Sequence, residues 1–362
     1  MSTIYKSDTK YNGEENIVVA LDIGTTHNVR SVIKWPGQAD ASGDSKIPTL
    51  VAYQGTQAKL FGAEAREVID DDAYTISKWF KLHLHPESMK IADQPPPYGS
   101  NVSTPARIEV PPLPAGVTLM EVYSSFIKYM YETTRTFFEE NTPNGKGIWT
   151  RLANKIVIVL CTPNGWDMAQ QAFLRNACLK AGVVKSEEQA ELRIEFITEG
   201  EASVHYALAH TKTSTWLMKN AMFAVTDAGG STVDSTLYEC KSTDPLSLEE
   251  VCESECVQAG GVFVDRALQT VLEQKLKDSD FGDPESIAAM VRSFERKSKR
   301  IFDGTQVTNT LDFGGARDND RAHGILKGKI TVSKDEVGRS FDDVVARTME
   351  SCLKLLHGRK IR

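Results

Sequence analysis

Short apolar runs closed by small or acidic residues recur along the chain, and between them the apolar positions change from a period of two to one of three to four. Ile17-Val-Val-Ala-Leu21 ends on Asp22 and a Gly24-Thr25-Thr26 turn, after which an extended stretch runs from Val29 to Ile33. Met222-Phe-Ala-Val-Thr226 ends on Asp227 and a Gly229-Gly230-Ser231-Thr232 turn, and a second strand follows from Val233 to Cys240. Both copies read as apolar strand, aspartate, Gly/Ser/Thr turn, strand. Two such copies far apart in one chain predict a duplicated architecture, two related lobes with a cleft between them, in place of a solenoid of short repeats.

The segments between and after the copies predict an α/β fold. Lys155–Cys161 reads as a buried strand, Asp167–Ala181 as a helix capped by Asp167 and stopped by Gly182, Ile194–Thr198 as a short strand, and Glu201–His210 as a helix. That βαβα run predicts a mixed or parallel sheet with helices packed on it. Apolar residues at Val122, Phe126, Ile127, Met130 and Phe137 make one stripe of a helix over Leu119–Glu140. Further helices are expected over Phe263–Leu276, Ile287–Phe302 and Lys334–Leu356. Asp93–Thr118 holds seven of the 14 prolines without a period, so an irregular surface insertion is expected there.

Composition narrows the partners. At 362 residues two to three domains are expected, and 42 Lys and Arg against 49 Asp and Glu leave a net charge of −7. That balance, without a basic block, argues against nucleic acid and against an anionic membrane surface. The polar start of the chain and the shortness of every apolar run predict neither a secretory leader nor a membrane span. Six scattered cysteines read as reduced cytosolic thiols, so a cytoplasmic location is expected. His83-x-His85 and Cys252-x-x-x-Cys256 lack a second pair at zinc-finger spacing.

The chemistry lies in the two turns. Backbone N–H groups of a Gly-rich turn, with Thr and Ser hydroxyls, hold phosphate oxygens. An aspartate closing each preceding strand puts a carboxylate beside that phosphate, and magnesium is commonly held by one or two carboxylates, phosphate oxygens and water. The pair therefore predicts a nucleotide–Mg²⁺ clamp. The sequence contains no G-x-x-x-x-G-K-[ST] loop, no post-strand G-x-G-x-x-G and no G-x-S-x-G elbow.

Leu21-Asp22-Ile-Gly24-Thr25-Thr26 and Asp227-Ala-Gly229-Gly230-Ser231-Thr232 resemble the two phosphate motifs of the actin, sugar-kinase and seventy-kilodalton heat-shock superfamily. Thr162-Pro163, Phe196-Ile-Thr-Glu199-Gly-Glu-Ala-Ser-Val-His-Tyr-Ala-Leu208, Gln258-Ala-Gly260-Gly261-Val-Phe-Val-Asp265-Arg and Ser298-Lys299-Arg300 resemble heat-shock segments, most of all those of the divergent fungal-type heat-shock-seventy-like proteins. The resemblance spans roughly residues 15 to 360 and implies a duplicated actin-like, ribonuclease H-like ATPase fold. The implied layout is a disordered 1–15, a first lobe over 16–212 with an insertion at about 46–118, and a second lobe over 213–362 whose upper part covers about 259–332.

The resemblance also implies roles. Asp22 and Asp227 would hold magnesium through its waters; Gly24, Thr25, Thr26, Gly229, Gly230, Ser231 and Thr232 would cradle phosphates. Lys78 matches the lysine that reaches the transferring phosphoryl group, Glu199 the glutamate that orients or deprotonates the attacking water, and Asp234 an assisting carboxylate. Gly260, Gly261, Glu295, Lys299 and Arg300 would face adenosine. Ser231 replaces the usual third glycine, Glu199-Gly-Glu replaces Glu-Pro-Thr, and the last Gly-Gly-Ser turn expected after Leu356 is missing, so a truncated, incomplete second lobe is expected. The implied function is an ATP-binding, Mg-dependent ATPase domain of a heat-shock-seventy-like protein, with ATP/ADP and Mg²⁺ as cofactors and protein clients or co-chaperones as partners. A pseudo-ATPase binding module and a metabolite kinase are the alternatives.

Overall fold

The computed structural model describes residues 3–6, 14–24, 27–28, 32, 35–38, 46–89, 110–210 and 216–357. They form two compact units, one made of those up to 258 together with 352–357, the other of 259–351.

The first unit opens with β1 (Thr3–Lys6), β2 (Ile17–Asp22), the two-residue β3 (His27–Asn28) and β4 (Ile47–Pro48), β5 (Leu50–Gln54) and β6 (Gln57–Phe61). It continues with α1 (Gly62–Glu67), β7 (Thr75–Lys78), α2 (Lys81–Leu84), α3 (Leu119–Asn141), α4 (Gly145–Leu152), β8 (Ile156–Thr162), α5 (Met168–Lys180), α6 (Glu187–Arg193) and β9 (Ile194–Thr198). Then come α7 (Glu199–His210), β10 (Met222–Ala228), β11 (Val233–Thr243), β12 (Leu246–Glu250) and β13 (Glu255–Val257).

Its first sheet is the parallel β2-β8-β9. Every second residue of β8 is buried from Ile156 onward, so one face of the strand is apolar and covered. That face meets α3, whose Val122, Phe126, Ile127 and Met130 are fully buried in the same cluster as Ile156, Ile158 and Leu160, while Phe137 of the expected stripe is half-buried. A reciprocal cap between Thr118 and Glu121 starts α3, and Asp167 with Gln170 does the same for α5. Gly182 takes φ of 74°, the left-handed turn that ends α5 and that glycine adopts without penalty.

The second sheet runs β1-β12-β11-β10, with β13 also on β11. The first fifteen residues, expected to be disordered, include β1, which pairs antiparallel with β12; Glu14 and Glu15 reach Lys155 and Arg151 at 2.6 and 2.8 Å. Between 46 and 89 the expected insertion is regular, an antiparallel β6-β5-β7 sheet with α1 and α2. The proline-rich residues 93–109, and Val29, Arg30, Ser31 and Ile33 of the expected first hairpin, lie outside the described residues.

The second unit holds α8 (Gly261–Lys275), α9 (Pro284–Arg296), α10 (Ser298–Ile301), β14 (Thr308–Asp312), β15 (Ile325–Leu326), β16 (Lys329–Ser333) and most of α11 (Lys334–Leu356). An antiparallel β14-β16-β15 sheet packs on α8 and α9 through Leu268, Leu272, Met290, Phe294, Leu311 and Ile330. The single helix expected over 287–302 is interrupted by a turn at Lys297, with φ of −117° and ψ of −79°, between α9 and α10. The break turns Lys299 toward Asp265, where its ammonium meets both carboxylate oxygens at 2.7 and 2.8 Å. Among the described residues no helix is long and apolar enough to cross a membrane.

Tyr123 stands edge-on to Phe80 and Phe173, and its hydroxyl is buried without a hydrogen-bond partner among the described residues. An orphaned buried hydroxyl costs more than the hydrogen of a phenylalanine. Tyr123→Phe should therefore raise unfolding free energy by about 1 kcal/mol in urea titration; a loss of that size would show that the hydroxyl has a partner.

Candidate functional site

In open parallel sheets ligands collect at the carboxyl ends of the strands. Here the in-register pairs Asp22 with Cys161 and Thr162 with Thr198 bring the ends of β2, β8 and β9 to one edge. β2 delivers Asp22, β8 leads into Thr162-Pro163-Asn164, and β9 runs directly into α7, whose first residue is Glu199. Onto this edge α2 adds Lys81. Its ammonium lies 2.5 Å from Glu199 Oε1, with the two side chains only 4% and 12% exposed, and 5.6 Å from the centre of the Trp166 ring.

Burial alone would discharge Lys81, but the Glu199 and Asp22 carboxylates outweigh it and hold the ammonium above its ordinary range. Lys78 is placed differently. It ends β7 opposite Leu50, with its ammonium 5.3 Å from the ring of its neighbour Trp79. Between the two lysines Trp79 takes φ of 55°, a left-handed conformation that a bulky L-residue adopts only where its surroundings compel it. That reversal leaves Lys78 on the strand and puts Lys81, three residues on, beside Glu199.

Asp22 is the exposed nerve of the arrangement. Its Oδ1 is buried with no hydrogen-bond partner among the described residues. Burial pushes its carboxyl up to about 6, helped by Glu199 and Asp227 and opposed by Lys81 and Lys46. Asp227, at the end of β10, feels the same crowding; burial and Glu199 raise it while the Ser203 hydroxyl, donating to Oδ2 at 2.9 Å, pulls it down.

Asp234 faces Asp227 across the β10–β11 ladder and is wholly buried. Two carboxylates directly opposite each other repel. The Asn164 N–H donates to Asp234 Oδ1 at 2.7 Å, yet burial and Glu199 still lift that carboxyl to about 6. The Asn164 side chain goes on to donate to Thr236 Oγ1 at 3.1 Å, tying the loop after β8 to β11. Gly200 makes this approach possible: a Cβ there would meet Thr236 Oγ1 at 3.0 Å and the Asn164 amide at 3.5 Å. The Cys161 and Cys256 thiols are pushed up by burial and, next, by Asp22 and Asp234 respectively, so neither is a ready thiolate.

The second turn closes with Gly229 N–H donating to Thr232 O at 2.9 Å, and Ser231 and Thr232 are buried beneath it. Ser231 does not take a positive φ, so the position where the family has glycine accepts a side chain. Gly24 follows β2 by two residues; Thr25 and Thr26 lie outside the described residues. Gly260, Gly261, Glu295, Lys299 and Arg300 belong to the second unit. Gly260 precedes α8, Gly261 begins it, and Lys299 Nζ reaches Gly261 O as well as Asp265. Asp265 is raised to about 6 by burial, with Lys299 opposing and Glu295 assisting, while Arg300 is exposed.

Sequence reasoning missed Lys81, Asn164, Gly200 and Ser203. Only Lys81 carried a signal: it is a cation set between Phe80 and Leu82 in an apolar run, and both neighbours are buried. The other three act through contacts between segments distant in the chain. Among the described residues no three His, Cys, Asp or Glu side chains converge as a direct metal cage.

No protein-family model matches this sequence, and no curated protein does. Solved structures do. A non-polymerisable quadruple mutant of pCBH ParM aligns over 95% of this chain and 85% of its own, at 11% identity and a TM-score of 0.53. A 15-stranded ParM filament from Clostridium botulinum aligns over the same shares at 12% identity and a TM-score of 0.51. The fold of this chain is the actin-like ATPase fold.

A carboxyl raised in the folded state favours folding while protonated, and that contribution is lost as pH rises through its folded value. For Asp22 the unfolded value lies near 3.8 and the folded one at about 6, so the penalty sets in between these and is complete above about pH 7. Asp22→Asn should leave unfolding free energy nearly unchanged at about pH 4 and raise it by about 1–3 kcal/mol at about pH 7.5. Denaturant titrations of both proteins at the two pH values test this. A pH-independent difference would contradict it.

Proposed function

We propose that the chain binds ATP with Mg²⁺ at the edge shared by β2, β8, β9 and the β10–β11 turn, and hydrolyses it. The observation that carries this reading is the crowding of Asp22, Asp227 and Glu199 around Lys81, with Asp22 Oδ1 buried and without a hydrogen-bond partner among the described residues. A buried anionic cluster with one internal cation is incomplete by itself. A hydrated divalent ion suits it, because water can bridge to carboxylates that do not converge as a cage.

Asp22 and Asp227 would hold that ion through its waters. Bound magnesium would supply charge neutralisation on the phosphate oxygens. Gly24, Gly229, Gly230 and Thr232, with Thr25 and Thr26, would cradle the phosphates through N–H and hydroxyl donors. Lys81, in place of Lys78, would carry the fixed positive charge toward the transferring phosphoryl group. Glu199 gives Oε1 to Lys81, leaving Oε2 to orient the attacking water and accept its proton.

The finer reading is an ATPase domain of the heat-shock-seventy type, with ATP/ADP as ligand and protein clients or co-chaperones as partners. Two features support it: Glu199 opens the connecting helix α7 against a buried lysine, and Lys299 packs on the Gly260-Gly261 start of α8. Gly260, Gly261, Glu295, Lys299 and Arg300, to which the resemblance gives adenosine contacts, all belong to the second unit.

Calorimetric titration with ATP, with and without Mg²⁺, followed by single-turnover hydrolysis, tests the proposal. Mg²⁺ should strengthen binding to the wild-type chain, and Asp22→Asn and Asp227→Asn should abolish that gain. Lys81→Met should slow hydrolysis about a hundredfold, the scale of losing one transition-state donor, with Lys78→Met close to wild type. Equal rates for wild type and Lys81→Met would overturn the assignment.

A further inference from the structure

We infer that Ser203 is a positioning residue for Asp227, fixing the orientation in which that carboxylate of the second phosphate hairpin meets a divalent cation. The inference rests on the functional reading above and adds to it a residue that neither of the two turn motifs contains. Ser203 lies one helical turn after Glu199 on α7, so the two side chains share a face of that helix. Its hydroxyl donates to Asp227 Oδ2 at 2.9 Å, while Glu199 on the same face holds Lys81. One helix thus grips both halves of the site.

The need for such a grip follows from the charges around Asp227. Glu199 from α7 and Asp22 from β2 confront it with negative charge, and Asp234 stands opposite it in the β10–β11 register, while Lys81 from α2 and Lys46 offset the anions. A free carboxylate in that field would rotate away from its anionic neighbours. The Ser203 hydroxyl, a neutral donor, takes one acceptor site of Oδ2 and so fixes the orientation in which the carboxylate meets a hydrated ion. Asp234 likewise takes a donor from a distant segment, the Asn164 N–H on Oδ1, alongside the side chains of Cys256 and Thr232.

The test uses the full chain and compares ADP affinity with Mg²⁺, with Mn²⁺ and with chelator present, for wild type, Ser203→Ala and Ser203→Thr. Mn²⁺ occupancy is read independently by electron paramagnetic resonance. Ser203→Ala should weaken Mn²⁺ binding and the metal-dependent part of ADP affinity about three- to tenfold, the loss of one hydrogen bond to a charged acceptor. Metal-free ADP affinity and melting temperature should stay close to wild type. Ser203→Thr, which keeps the hydroxyl, should restore metal binding. Wild-type metal affinity in Ser203→Ala, or equal losses with and without metal, would overturn the role of Ser203 while leaving the functional reading intact. A wild-type chain that binds neither Mn²⁺ nor Mg²⁺ with ADP would overturn both.

Discussion

The site is organised by an imbalance of buried charge. Asp22, Asp227 and Glu199 gather about one buried ammonium, that of Lys81, with Asp234 acted on by Glu199, and desolvation raises three of the four acids above their ordinary range. Such an arrangement costs stability in the free chain, because charged forms are removed from water without full compensation. Proteins retain that kind of cost where a ligand repays it. The Asp22 oxygen without a donor among the described residues is the sharpest expression of the debt, and the left-handed Trp79 that turns Lys81 inward is another.

Much of the frame serves to hold these groups in place. The apolar β8, covered by α3 through Phe126, Ile127 and Met130, anchors the parallel sheet whose ends carry Asp22 and lead to Asn164 and Glu199. Then α7 joins the two sheets of the first unit: Glu199 binds Lys81, Gly200 lies against Thr236 and Asn164, and Ser203 binds Asp227. The glycine in the Glu199-Gly200-Glu201 start of that helix has a steric reason in the 3.0 Å approach of Thr236.

The fold was legible because its signals are local and repeated. Strand, aspartate and small-residue turn appear twice, and the helices over α3, α5 and α11 follow from period and caps. The actin-like ATPase fold that the resemblance of the two turn motifs implied is the one the solved structures share. What could not be read depends on packing between distant segments. The motif match pointed to Lys78, and the reversal at Trp79 that puts Lys81 beside Glu199 leaves no local pattern in the sequence. The apolar pattern over 287–302 does not show the interruption at Lys297, beyond which Lys299 meets Asp265, more than thirty residues away in the chain. Within the stretch expected to be disordered, β1 forms by pairing with β12, a segment more than two hundred residues away.

The central claim is that a cation-bound nucleotide completes the carboxylate cluster, and proton release on binding tests it most directly. Titrations with Mg²⁺·ADP in buffers of different ionisation enthalpy count the protons exchanged. With Asp22 and Asp234 titrating at about 6, binding near that pH should expel about one proton from the protein, and almost none at about pH 8. Binding without proton release near pH 6, or no binding, would contradict the account.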